Sequence, residues 1–71
     1  MTSLAEALPE QINRVREVQD RYKALRGIPN VMVEPTIALM EVDIRAGVQA
    51  SAEGDVVAML RANEALKGWE A

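Results

Sequence analysis

Apolar residues recur at helical spacing in three blocks of this chain, and proline, glycine and acidic residues separate the blocks. In the first block Ile12, Val15, Val18, Tyr22 and Leu25 follow one another at intervals of 3, 3, 4 and 3. On a helix they form one stripe, which Leu8 extends, while Arg14, Glu17, Asp20, Arg21 and Lys23 take the other side. The pattern predicts helix 1 from about Pro9 to Arg26, with Pro9 at the first helical position, where its missing N–H costs nothing. Ser3 and Glu6 fit a capping box, so residues 1–8 read as a frayed segment or a short helical turn ahead of Pro9. Gly27 stops the helix and Pro29 prevents its continuation.

The second block starts at Pro35 and predicts helix 2 to about Ala52. Here two apolar stripes run side by side. Ile37, Met40, Ile44 and Val48 form one; Leu39, Val42, Ala46 and Ala50 form another on roughly the opposite side. Glu41 and Arg45 stand four residues apart between them, a spacing that supports a helix, and Asp43 lies in the other wedge. A helix apolar on two sides asks for neighbours on two sides. Gly54 then offers a left-handed cap and Asp55 an N-cap for helix 3, expected from Val56 to about Lys67. Its stripe is Met59, Ala62, Leu66 and Trp69, flanked by Val56 and Leu60.

These elements predict an all-α fold over residues 1–71, a small three-helix bundle with helix 2 central and a helix 2–helix 3 αα-hairpin. The segment from Ala46 to Leu66 resembles one tetratricopeptide-type helical hairpin: Gly47, Gly54, Asp55, Val56 and Leu60 match in register. Ile44, Ala50 and Ser51 stand where such hairpins carry bulky or aromatic residues, and Met59 replaces the alanine of the second helix. The resemblance covers about a third of the chain, once, whereas a tetratricopeptide groove needs several repeats. It implies a shared way of building a hairpin.

The link between helices 1 and 2, Ile28–Glu34, is unusual because connectors lie on the surface and this one is apolar, with Ile28, Val31, Met32 and Val33. Ile28 and Glu34 each precede a proline and are pushed toward extended backbone. Either Val31 and Val33, or Met32 alone, plug the open end of the core, or the segment is a strand-like edge that pairs with a partner. Met32 is the member expected to be exposed. Trp69 has the same two readings: it closes the base of the hairpin against Leu66, or it anchors a partner. Tyr22 is expected to bury its ring and leave its hydroxyl wet.

Composition removes most chemistry. The chain has 71 residues, no Cys, no His and no Phe. Disulfides, thiolate or imidazole metal sites and imidazole catalysis are therefore closed to it. Ser3 and Ser51 have no base nearby in sequence, and Glu41 and Asp43 project different ways, so no catalytic residues, cofactor or metal are expected. The net charge of −3 makes a poor counterion for phosphate. Residues 10–27 carry five basic against three acidic side chains, and residues 28–71 three basic against seven acidic, which reads as two solvated faces that attract each other within the fold. No apolar run has the roughly 20 residues of a membrane span, and no signal peptide is visible, so a cytoplasmic protein is the default.

What remains is surface. The second stripe of helix 2 and the connector exceed what two short helices cover, so the expectation is a non-catalytic protein–protein interaction module that pairs with itself, as a homodimer, or with another protein. Val31, Met32, Val33, Leu39, Val42 and Trp69 are the candidate partner-binding residues. The alternative is a small helix-turn-helix-like DNA-associated regulator that uses Arg61, Asn63 and Lys67 of helix 3.

Overall fold

A computed structural model describes residues 3–69. Three helices make the fold: α1 (Leu4–Lys23), α2 (Glu34–Glu53) and α3 (Val56–Lys67), and each packs against the other two. The all-α three-helix bundle and the α2–α3 hairpin follow from the sequence pattern.

Local chemistry explains the ends. The Ser3 hydroxyl accepts from the Glu6 amide at 3.3 Å, so Ser3 caps the helix and α1 starts at Leu4 rather than at Pro9. Pro9 lies inside the helix and leaves the Ala5 carbonyl without its usual donor. Ala5 is exposed, so water can serve that carbonyl, and Leu8 on the same turn is fully buried. Burial of Leu8 outweighs the local cost. At the other end α1 stops at Lys23, three residues short of the expected limit, and the chain turns through Gly27 at φ +85°.

Gly54 at φ 68° caps α2, and the Asp55 carboxylate accepts from the Ala58 amide at 3.1 Å, both as the sequence predicts. Glu34 is already helical although it precedes Pro35, because Val33 is the N-cap and Pro35 falls in the first turn, where no donor is needed.

The core is aliphatic. Leu8, Ile12, Val15 and Val18 from α1, Met40 and Ile44 from α2, and Ala62 and Leu66 from α3 form one cluster, with Tyr22, Met59 and Trp69 packed against it. Gly47 lets the helices close: a Cβ there would sit 3.3 Å from Ile12 Cδ1 and 3.5 Å from Leu66 Cδ1. Arg14 of α1 ties the end of α3 by donating to the Leu66 carbonyl at 2.7 Å and to the Trp69 carbonyl.

The helices differ in length, and that shapes the surface. α1 and α2 each have 20 residues and α3 has 12. At about 1.5 Å per residue, α3 is shorter by about 12 Å. It runs back along α2 from Glu53 and stops beside Asp43, so the connector end of the molecule has only two helices.

Candidate interaction surface

The packing of α1 and α3 on one side of α2 leaves its other side without a neighbour. α1 and α3 pack on one another as well as on α2, so both sit against the Ile37–Met40–Ile44 side. The second stripe is therefore not buried within the chain, contrary to the two-sided burial expected of it. Leu39 is 58% exposed and Val42 63% exposed. Ala46 is exposed too, and only Ala50, at the hairpin end where α3 begins, is buried. The first stripe is also modified: Val48 is exposed and the buried position on that turn is Gly47, which lies close against Ile12 and Leu66.

Pro35, Leu39, Val42 and Ala46 are spaced 4, 3 and 4 and are all exposed. At 100° per residue they fall within about 60° of one another. Ala38 and Arg45 border the face on one side and Thr36 and Asp43 on the other. Its charges are already held. Arg45 Nε donates to Glu41 at 3.0 Å, and Asp43 accepts the indole N–H of Trp69 at 2.7 Å.

The connector ends beside this face. It is neither extended nor strand-like: Ile28 N–H donates to the Leu25 carbonyl and Val31 N–H to the Ile28 carbonyl, giving successive turns with Asn30 at φ 68°. Asn tolerates that left-handed conformation better than other non-glycine residues. Arg26 pairs with Glu34 across the turn through two hydrogen bonds. Val33 is buried and plugs the end of the core, so it leaves the candidate surface. Met32 is 86% exposed, and Val31 and Ile28 are exposed as well.

Trp69 is half-buried against the core and hydrogen-bonded to Asp43, the arrangement of a residue that closes the hairpin. Of the six candidate residues, the structure thus places Leu39 and Val42 together on α2, puts Val31 and Met32 in the neighbouring connector, and turns Val33 and Trp69 inward.

Gln19, a polar residue absent from the apolar stripe, is the main polar tie between α1 and α2. It is buried and donates to the Ile37 carbonyl at 3.2 Å and to Glu41 at 3.0 Å. That amide, followed by Arg45, holds the Glu41 carboxyl below the ordinary carboxylate range. Its position four residues past Val15 and seven past Ile12 puts it on the inner stripe, a signal that its polarity masked.

Two shallow clefts interrupt the surface. One of about 330 Å³ lies between α2 and α3, lined by Asp43, Arg61 and the alanines at 46, 58, 62 and 65. Another of about 230 Å³ lies on α1 beyond the end of α3, at Val18, Arg21, Tyr22 and Leu25. Neither gathers a nucleophile with a base. Among the described residues no cluster of three acidic side chains could hold a metal ion, and no helix is long and apolar enough to cross a membrane. Of the three polar residues considered for DNA contact, Asn63 is buried, Lys67 bonds Glu64 at 3.3 Å, and Arg61 lines the first cleft. Comparison with family models, with curated proteins and with solved structures finds no match.

Proposed function

We propose that this protein is a non-catalytic interaction module, of the adaptor, assembly-factor or inhibitor kind, that acts through the outer face of α2 and associates with itself. The observation that carries the reading is the pair Leu39 and Val42, 58% and 63% exposed on a helix face bordered by Arg45, which pairs with Glu41, and by Asp43, which accepts the Trp69 indole N–H. Isolated exposed apolar residues need no explanation, but a contiguous apolar face on a small domain marks an interaction site. The setting that suits the proposal is cytoplasmic, since the chain has no cysteine for an oxidising compartment to use.

The test is the absolute mass in solution, by light scattering behind size-exclusion chromatography over a concentration series. The expected result is a mass that rises from one chain to two as concentration rises. A mass of one chain throughout would remove self-association. No observation favours the DNA-binding alternative, and retention on nucleic acid that falls with salt would revive it.

A further inference from the structure

We propose that Met32 is a reversible oxidation site, at which a hydroperoxide converts the thioether to a sulfoxide and turns the apolar connector polar without disturbing the fold. The site stands apart from the α2 face and does not depend on self-association.

Methionine carries all the sulfur of this chain, which has no cysteine, so no thiol competes for an oxidant. The three methionines among the described residues sit in different surroundings. Met40 is fully buried in the core cluster. Met59 is partly buried and packs against that cluster. Met32 is 86% exposed, more than any other large apolar side chain of the described residues. An oxidant in water meets the Met32 side chain directly, whereas Met40 becomes accessible only when the core opens.

The connector fixes that exposure. The amides of Ile28 and Val31 donate back to the Leu25 and Ile28 carbonyls, and Asn30 takes φ 68°. Val33 then turns into the core as the N-cap of α2, which leaves the preceding Met32 in solvent. A side chain so exposed contributes little packing, so an added oxygen costs the helices little. At Met40 the same oxygen would put an unpaired polar group into the core.

The chemistry closes on itself. The sulfur lone pair attacks the distal oxygen of the hydroperoxide, and an S–O bond forms as the O–O bond breaks. Sulfur gives up two electrons, and the departing oxygen keeps the proton and leaves as water or an alcohol. Sulfoxide reductases, one for each epimer at sulfur, reverse the step. They oxidise two thiols to a disulfide and release the oxygen as water. On the connector they find the sulfoxide in the folded chain. Oxidation there replaces an apolar tip beside the exposed Ile28 and Val31 with a strong hydrogen-bond acceptor.

The test is a time course of the full chain in hydrogen peroxide, read residue by residue through tandem mass spectrometry of its peptides. Met32 should take up oxygen at least about tenfold faster than Met40 and Met59, and the rates should converge when the chain is unfolded in guanidinium. Protein with one oxygen, located on Met32, should keep its far-UV circular dichroism and leave a phenyl column earlier. The two reductases with dithiothreitol should restore its mass and its retention, and Met32→Leu should show no retention shift over the same exposure. Oxidation of Met40 or Met59 as fast as Met32 overturns the proposal, as does an equal rate difference in the unfolded chain. Loss of helical signal on oxidation of Met32 alone overturns it too, and so does a Met32 sulfoxide that the reductases leave in place.

Discussion

Gly47 is where the packing of the three helices can be tested most sharply. In the middle of an exposed helix, glycine is less favourable than alanine by about 1 kcal/mol, so Gly→Ala normally stabilises. Here the added methyl would lie 3.3 Å from Ile12 Cδ1 and 3.5 Å from Leu66 Cδ1. Carbon atoms prefer separations of about 3.5–4.0 Å. Ile12 must therefore swing its terminal methyl aside, and an off-rotamer side chain costs about 0.5–1.5 kcal/mol. The two effects nearly cancel, so Gly47→Ala should change stability by less than about 0.5 kcal/mol. Gly47→Val adds two methyl groups beyond that Cβ to the same crossing and should destabilise by about 1–3 kcal/mol.

Ile12→Val removes Cδ1, the atom in the way. Alone it should cost about 0.5–1.5 kcal/mol. Combined with Gly47→Ala it should cost at least about 0.5 kcal/mol less, a coupling that only residues in contact produce. The assay is urea unfolding at one fixed protein concentration, followed by far-UV circular dichroism and by the fluorescence of Trp69, the single tryptophan. Gly47 lies on the inner side of α2, so the outer face is untouched by these changes. Full stabilisation by Gly47→Ala together with strict additivity would refute the reasoning, because α1 would not then cross α2 at this point.

Three further outcomes are expected. Val42→Asp should leave the monomer folded, since Val42 is 63% exposed, while light scattering shows one chain at concentrations where the parent is paired; loss of helical signal would mean that Val42 is buried. Asn63 is 6% exposed and its Oδ1 has no partner among the described residues, so Asn63→Leu should raise unfolding free energy by about 1–2 kcal/mol in urea, and a loss of that size would show that the amide is satisfied. Gln19→Leu should raise the Glu41 pKa toward its ordinary value in an NMR titration, since the Gln19 amide is the main cause of its lowering. A depressed folded-state pKa contributes stability above the unfolded carboxylate range and loses it as pH falls through the folded value, so the stability gap between parent and Gln19→Leu should narrow on acidification.

The parts of the fold that were legible in the sequence are those decided within a few residues. Gly54 and Asp55 act on amides one turn away, and both cap as their residue types require. The limits of α3 follow from the same local signals. Pro9 shows where local reasoning stops. Its own preference says that the helix begins there, yet α1 begins at Leu4, because Leu8 finds a place in the core and that tertiary gain is invisible to a rule about proline. Gln19 was illegible for the converse reason. Its polarity suggests solvent, and only the position of Glu41 and the Ile37 carbonyl on the neighbouring helix offsets the cost of burying it.

The candidate surface was half legible, and the missing half is a matter of which side of α2 its neighbours take. Periodicity counts apolar faces but does not say which of them the same chain covers. Two stripes on α2 could have meant a helix sandwiched between α1 and α3. That arrangement needs two partners that stay apart, and Arg14, reaching from α1 to the carbonyls of Leu66 and Trp69, binds α1 to α3 instead. With both neighbours on one side and α3 ending at Lys67, nothing in the described chain reaches Leu39 or Val42. Val33 had to be separated from Met32 in the same way: adjacent and equally apolar in sequence, one turns into the core as the N-cap of α2 and the other is 86% exposed. A sequence that places apolar residues where its own fold cannot cover them directs attention to a second chain.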